Sequence, residues 1–265
     1  VYSAAYSSTS TPPNNIFEPN TTVYIRAVIS DPFGSYDIDP ATGGTAPTLT
    51  LTDPNGTVQL NAVNMVQVAD SGADTKTFEY YSNSPTNTIG YVLGDTVAEG
   101  FWTPTVKGFE GTEGTVTHTA NGSFELRRPS LTIVKSVSVI SDPLGSAKPR
   151  AVSGSVSQYS VVVSNGGKGR ANGVSISDAI PTNTTYIIGS PSFTDGSTSS
   201  GLSAPTYTFF SNAACTTSYS PTGGAGTLDA NVKCIKATFT AGTFMNGKTG
   251  ASSPSFTLTF RVQVN

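Results

Sequence analysis

Lys135, Asn165 and Asp178 are of types that together can make a covalent bond without a cofactor. Along LTIVKSVSV, Lys135 shares its parity with Leu131, Ile133, Val137 and Val139, so in a strand it points with the apolar core row. Along GVSISDAI, Asp178 shares the parity of Val174, Ile176 and Ile180, which makes an inward lysine and an inward aspartate available to each other. A buried ammonium without a partner loses its proton or costs several kcal/mol. Two chemistries fit. One is a structural ion pair near the rim of a sandwich, the usual state of buried charges. The other is an intramolecular isopeptide bond, with the desolvated Lys135 amine as nucleophile, Asn165 as amide acceptor and Asp178 as proton shuttle, releasing ammonia.

Other constellations are weaker. Asp31, Asp37 and Asp39, joined by Glu110 and Glu113 of EGTEG, offer hard oxygen ligands for a calcium ion, although their spacing is not that of a helical calcium loop and loop aspartates also cap turns. No other cofactor is expected. His118 is the sole histidine, without a G-x-S-x-G elbow, and reads as a sheet or surface residue rather than a general base. Nothing marks the paired carboxylates of a glycosidase, so the chain is not expected to be an enzyme. Trp102 shares the parity of Val106 and is expected in the core. Asn20, Asn55, Asn121 and Asn183 fit the N-x-S/T pattern, which matters only where the source glycosylates. Cys215 and Cys234 flank SPTGGAG, a turn between strand-like runs, and a disulfide there stabilises by about 3 kcal/mol on the loop-entropy account. The alternative is two buried thiols in a reducing compartment.

The elements that must position these residues are strands. Helical periodicity free of Gly, Pro and β-branched interruption is almost absent, whereas period-two alternation recurs. In SFTLTFRVQVN, Phe256, Leu258, Phe260, Val262 and Val264 face one way. TVYIRAVI, TLTLTD, KTFEYYS, FWTPTVKGF and SQYSVVVS read similarly, and short strands at this spacing argue for antiparallel β-sandwiches. Only 12% of the 265 residues are charged, with a net charge of −3. No basic stripe interleaved with aromatics supports nucleic-acid binding, and no apolar run is long enough to span a membrane. The turn-rich, charge-poor composition is that of an exported, extracellular or cell-surface chain whose leader has been removed.

Arg127-Arg128-Pro129-Ser130 separates GSFEL from LTIVKSVSV and reads as a very short, stiff linker between two sandwiches, 15–128 and 130–265, preceded by an extension, 1–14. SDPFGS and SDPLGS, at 30–35 and 141–146, are read as independent turns of the same chemistry. The second domain carries Lys135 in its first strand, Tyr-x-Val-x-Val-x-Asn-Gly ending at Asn165 and Gly166, and Asp-x-x-Pro from Asp178 to Pro181. In these features it resembles the repeat domain of unknown function, number eleven in its series, of bacterial and archaeal surface proteins. The first domain, with VISDPFGSYDI and GFW followed by KGFEGTEGTV, is similar to a module that precedes such repeats. The resemblance implies an all-β chain of two tandem immunoglobulin-like sandwiches, a surface building block without catalytic residues to carry over.

The opening VYSAAYSSTSTPPNN carries no charge, the first being Glu18; Tyr2, Ala4 and Tyr6 share one parity beside Val1, and Pro12-Pro13 breaks the stretch. Such a segment is either lent to a neighbour as a donor strand or folded onto its own domain as an edge strand. The expected function is a structural subunit of an extracellular filament or surface assembly, with other copies of itself as partner through strand addition or sandwich contacts. The alternative is an adhesin-type binding or stalk module, whose glycan or protein receptor the sequence does not name.

Overall fold

Most of the strand-like runs of the sequence are strands of the chain, although TVYIRAVI is divided into two short strands. The computed structural model describes residues 1–6, 12–31, 38, 45–71, 74–81, 90–109, 116–145 and 147–265, and every regular element among them is a β-strand. The described chain is all-β, built of several mainly antiparallel sheets. It divides into two compact units, Val1–Arg128 and Pro129–Asn265.

Unit 1 contains β1 (Ile16–Phe17), β2 (Thr22–Val23), β3 (Arg26–Ser30), β4 (Thr48–Thr52), β5 (Val58–Asn64), β6 (Val66–Asp70), β7 (Thr75–Glu79), β8 (Tyr91–Val92), β9 (Gly100–Phe109), β10 (Thr117–Asn121) and β11 (Phe124–Leu126). One sheet has the order β1-β11-β9-β4-β5, with β10 also on β9; the other is β3-β7-β6, and β2 pairs with β8. The long β9 organises the first sheet: β11 and β10 follow one another along one of its edges, and β4 takes the other. Alternation along β4 and β9 sends Leu49, Leu51 and Trp102 into a core shared with Val23, Phe78, Phe124 and Leu126. Trp102 stacks on Phe124 at 5.9 Å and donates from Nε1 to the Ala98 carbonyl at 3.0 Å, so its one polar atom is satisfied.

Unit 2 contains β12 (Leu131–Ser141), β13 (Val156–Asn165), β14 (Ala171–Asn172), β15 (Ser175–Ala179), β16 (Thr184–Ile187), β17 (Ser192–Asp195), β18 (Thr206–Phe210), β19 (Ser218–Tyr219), β20 (Leu228–Asp229), β21 (Cys234–Thr238), β22 (Phe244–Met245) and β23 (Ser255–Val264). Its larger sheet runs β12-β13-β23-β16-β20 with β17 also on β23, its smaller one β15-β21-β18-β19, and β14 pairs with β22. Phe256, Leu258, Phe260 and Val262 of β23 are buried, as the alternation requires, and meet Val161 and Val163 of β13. The same turn chemistry opens a strand in both units. Asn20 and Asn183 each adopt φ 60°, and the threonine that follows closes on a carbonyl three residues back, Thr21 Oγ1 to Glu18 at 2.6 Å and Thr184 Oγ1 to Pro181 at 2.7 Å.

Candidate functional site

Among the described residues, unit 1 is open along one flank. β3 bonds to β7 on one side and has no ladder partner on the other among the described residues, while β10 is likewise an edge, bonded to β9 alone. Between these two edges lies a groove of about 450 Å³ whose walls include Ile25, Ala27, Ile29, Pro104, Val106 and Ala120. Residues of odd number on β3 face inward, so its outward face carries Arg26 and the exposed Val28.

The opening segment reaches this flank. Tyr2 and Tyr24 form an antiparallel bridge, each backbone N–H donating to the other's carbonyl at 2.8 Å, and Val1 packs against the core at one end of the groove. Its two tyrosines cover Arg26, whose guanidinium lies 3.8 Å from the Tyr2 ring centre and 4.8 Å from that of Tyr6. Beneath them Arg26 meets Glu79 across β3 and β7, with Nε donating to Oε1 at 3.0 Å and Nη2 2.9 Å from the same oxygen. Both side chains are almost wholly buried, at 5% and 1% exposure. In a single chain, then, Val1, Tyr2 and Tyr6 dock on their own unit, and Ala4 lies between the two rings in sequence.

Unit 2 has its own open flank, at β12. Cross-strand pairing puts Ile133 opposite Val163, Lys135 opposite Val161 and Val137 opposite Tyr159, so the odd-numbered row does face inward. It is nevertheless not a core row: Leu131, Ile133 and Val137 are exposed, and so is Val134 on the other face. The reason is that β12 is the edge of the larger sheet and β15 the edge of the smaller, with no strand beyond β15 among the described residues to roof the overhang.

Lys135 and Asp178 are brought together across this gap, Nζ donating to Oδ1 at 2.6 Å with the lysine 38% exposed and 4.7 Å from the Tyr159 ring centre. Asn165 is not brought to them. It stands opposite Leu131, four residues along the strand from Lys135's partner Val161, and is wholly buried. All its capacity is used there: Oδ1 accepts from the Ser130 and Gly167 amides at 2.9 and 3.1 Å, and Nδ2 donates to the Gly169 and Asn246 carbonyls at 2.9 Å each. The groups flanking Lys135 across β13 and β23 are Val161 and Leu258, which offer neither amide nor acid. The arrangement thus holds two charges as an ion pair, and Asn165 ties together three loops.

Cys215 and Cys234 form a disulfide with Cα atoms 5.4 Å apart, joining the loop after β18 to the start of β21. Asn212 shapes that loop, its Oδ1 accepting from the Thr216 and Thr217 amides at 3.0 Å. Of the acidic set weighed for calcium, Asp31 is buried with its amide donating to the Asp74 carbonyl at 2.8 Å, whereas Asp37, Asp39, Glu110 and Glu113 lie outside the described residues. Among the described residues no group of three or more His, Cys, Asp or Glu side chains is close enough to hold a metal ion. His118 sits on the exposed strand β10 beside the groove. Asn20, Asn55, Asn121 and Asn183 are all exposed. Two features escaped sequence reasoning. The Arg26–Glu79 pair is a matter of register between distant strands, and the groove is a matter of which edges face each other, neither of which parity along one strand encodes.

No protein-family model matches the chain, that of the numbered surface repeat included, and no curated protein matches it. Among solved structures it is similar to the C-terminal domain of the AgI/II polypeptide BspA of Streptococcus agalactiae, with 10% identity and a TM-score of 0.36 over 94% of this chain and 86% of that one. It is also similar to the full-length major pilin RrgB of Streptococcus pneumoniae, with 13% identity and a TM-score of 0.31 over 83% of this chain and 39% of that one.

Proposed function

We propose that this chain is a structural subunit of an extracellular filament or cell-surface assembly, joined to further copies at its free sheet edges. The observation that carries the reading is β12, a strand of eleven residues at the edge of its sheet with exposed Leu131, Ile133, Val134, Val137 and Ile140 distributed over both faces. An edge of that length and apolarity is a template for another strand, and proteins that stay monomeric normally shorten, charge or cover it. The disulfide and the low charge suit an oxidising, extracellular setting. The role is mechanical rather than catalytic.

Electron microscopy and size-exclusion chromatography over a range of concentrations test it. The intact chain should form filaments or discrete oligomers, and Val134→Lys with Ser138→Lys, both on the outward face of β12, should weaken that association without loss of fold. An intact chain that stays monomeric at every concentration would remove the reading.

A further inference from the structure

We infer that the groove between β3 and β10 is the acceptor for the opening segment, Val1–Tyr6, of a second copy of this chain. The inference rests on the subunit reading above and names the surface and the strand through which copies connect. Four observations converge. First, β3 offers unsatisfied ladder positions along Arg26–Ser30 among the described residues, with an apolar groove of about 450 Å³ beside them. Second, the opening segment already binds the head of this edge, yet through one bridge of two hydrogen bonds, with Val1 reaching only the end of the groove. Third, no side chain of the segment is charged, so seating its side chains in an apolar groove strands no side-chain charge. Fourth, the contacts it makes within its own chain, Tyr2 on Tyr24, both tyrosines on Arg26 and the Val1 carbonyl accepting from the Asn14 amide at 2.9 Å, are equally available from an identical chain, the condition under which segments are exchanged between copies at low cost.

Freed from its own tether, the segment can do better than reproduce the same register. Side chains keep their faces when a strand slips by an even number of residues. An antiparallel slip that places Tyr2 opposite Ser30 puts Ala4 opposite Val28 and Tyr6 opposite Arg26. Tyr6 then keeps its cation–π partner, Val1, Ser3 and Ala5 turn into the groove, and the exposed edge of β3 is paired along its length. Ala5 and Ser3 fall opposite Ala27 and Ile29, small against apolar, which leaves room for the inward row.

Cysteine pairing reads the register directly. In the single chain the segment makes one isolated bridge, at Tyr2, and Tyr6 returns to Arg26, so the two cysteines are placed on different copies and only a segment seated on another chain's β3 can join them. A tagged copy carrying Ala4→Cys is mixed with an untagged copy carrying Val28→Cys and oxidised; a covalent heterodimer in excess of either homodimer is expected. The native cysteines are already paired and do not compete. Adding Tyr2→Cys with Tyr24→Cys to the tagged copy locks its segment at home, and the heterodimer should be lost. No heterodimer while filaments still form would overturn the exchange and leave the subunit reading standing. Neither heterodimer nor filaments would overturn both.

Discussion

Replacing Glu79 by Gln should unfold unit 1 far more readily than any surface change. The carboxylate is 1% exposed and its partner Arg26 5%, so the substitution leaves a guanidinium in a dry site with no counter-charge. Breaking a buried pair in this way costs about 3–5 kcal/mol, because the desolvated charge that remains is not compensated. With a urea dependence of about 2 kcal/mol/M, that is a midpoint lowered by roughly 2 M. The assay is urea denaturation followed by tryptophan fluorescence, since Trp102 is the only tryptophan and is buried in the unit 1 core. Arg26→Met with Glu79→Met, which removes both charges and keeps the bulk, should recover most of the loss. A single variant within about 0.5 kcal/mol of the parent, the range of an ordinary surface change, would refute the reasoning. So would a double variant as unstable as the single one.

Removing the Cys215–Cys234 disulfide by Ala at both positions should cost about 3 kcal/mol in unit 2, judged from its 19-residue separation, and leave the Trp102 transition unmoved. Burial alone would push the Asp229 carboxyl up, but donation from the Thr222 and Asn231 amides, the Tyr219 hydroxyl and the Val232 amide outweighs it and holds the group below its ordinary 3.8. Its folded value being depressed, its contribution is complete above that ordinary value and is lost as pH falls through the lower folded one; acid unfolding of unit 2, followed by circular dichroism, should therefore steepen below about pH 4, and Asp229→Asn should flatten it. Intact mass should equal that of the sequence less the two hydrogens of one disulfide, a deficit of one ammonia being the result that would restore Asn165 to the Lys135 chemistry. Lys135→Val should change stability by no more than about 1 kcal/mol, as for a half-exposed pair, while raising light scattering; stability lost without added scattering would refute it.

What could be read from the sequence was local. Alternation placed the faces of β23 and β4, and Trp102 in the core, because side-chain direction in a strand depends on parity alone. It also gave Lys135 the correct face and the wrong depth, since burial depends on whether the opposite sheet reaches far enough to cover that face, which parity does not encode. Asn165 shows the same limit from another side. Asn-Gly at a strand end announces a turn, but that its amide joins Ser130, Gly167, Gly169 and Asn246 follows from three loops meeting, one of them about eighty residues away. Arg26 and Glu79 look like ordinary outward residues of two strands until Tyr2 and Tyr6 are laid over them.

The two open flanks are not equivalent. At β12 the inward row is interrupted by Lys135, and a strand added beside β15 would have to bury an ammonium that now keeps partial contact with water. An inward-pointing charge is one of the devices by which edge strands resist indiscriminate pairing; Asp178 supports it at short range without removing it from solvent. Approach to β12 is thereby confined to the outward face and the edge itself, where Val134 and Ile140 stand. The flank at β3 carries the opposite arrangement. Among the described side chains of β3 the one charge, Arg26, is neutralised by Glu79 and lies under aromatic rings, so it does not oppose an uncharged strand. On the proposed exchange, one guarded edge and one receptive edge would give association a direction, and directional association of identical subunits that does not close on itself gives a filament.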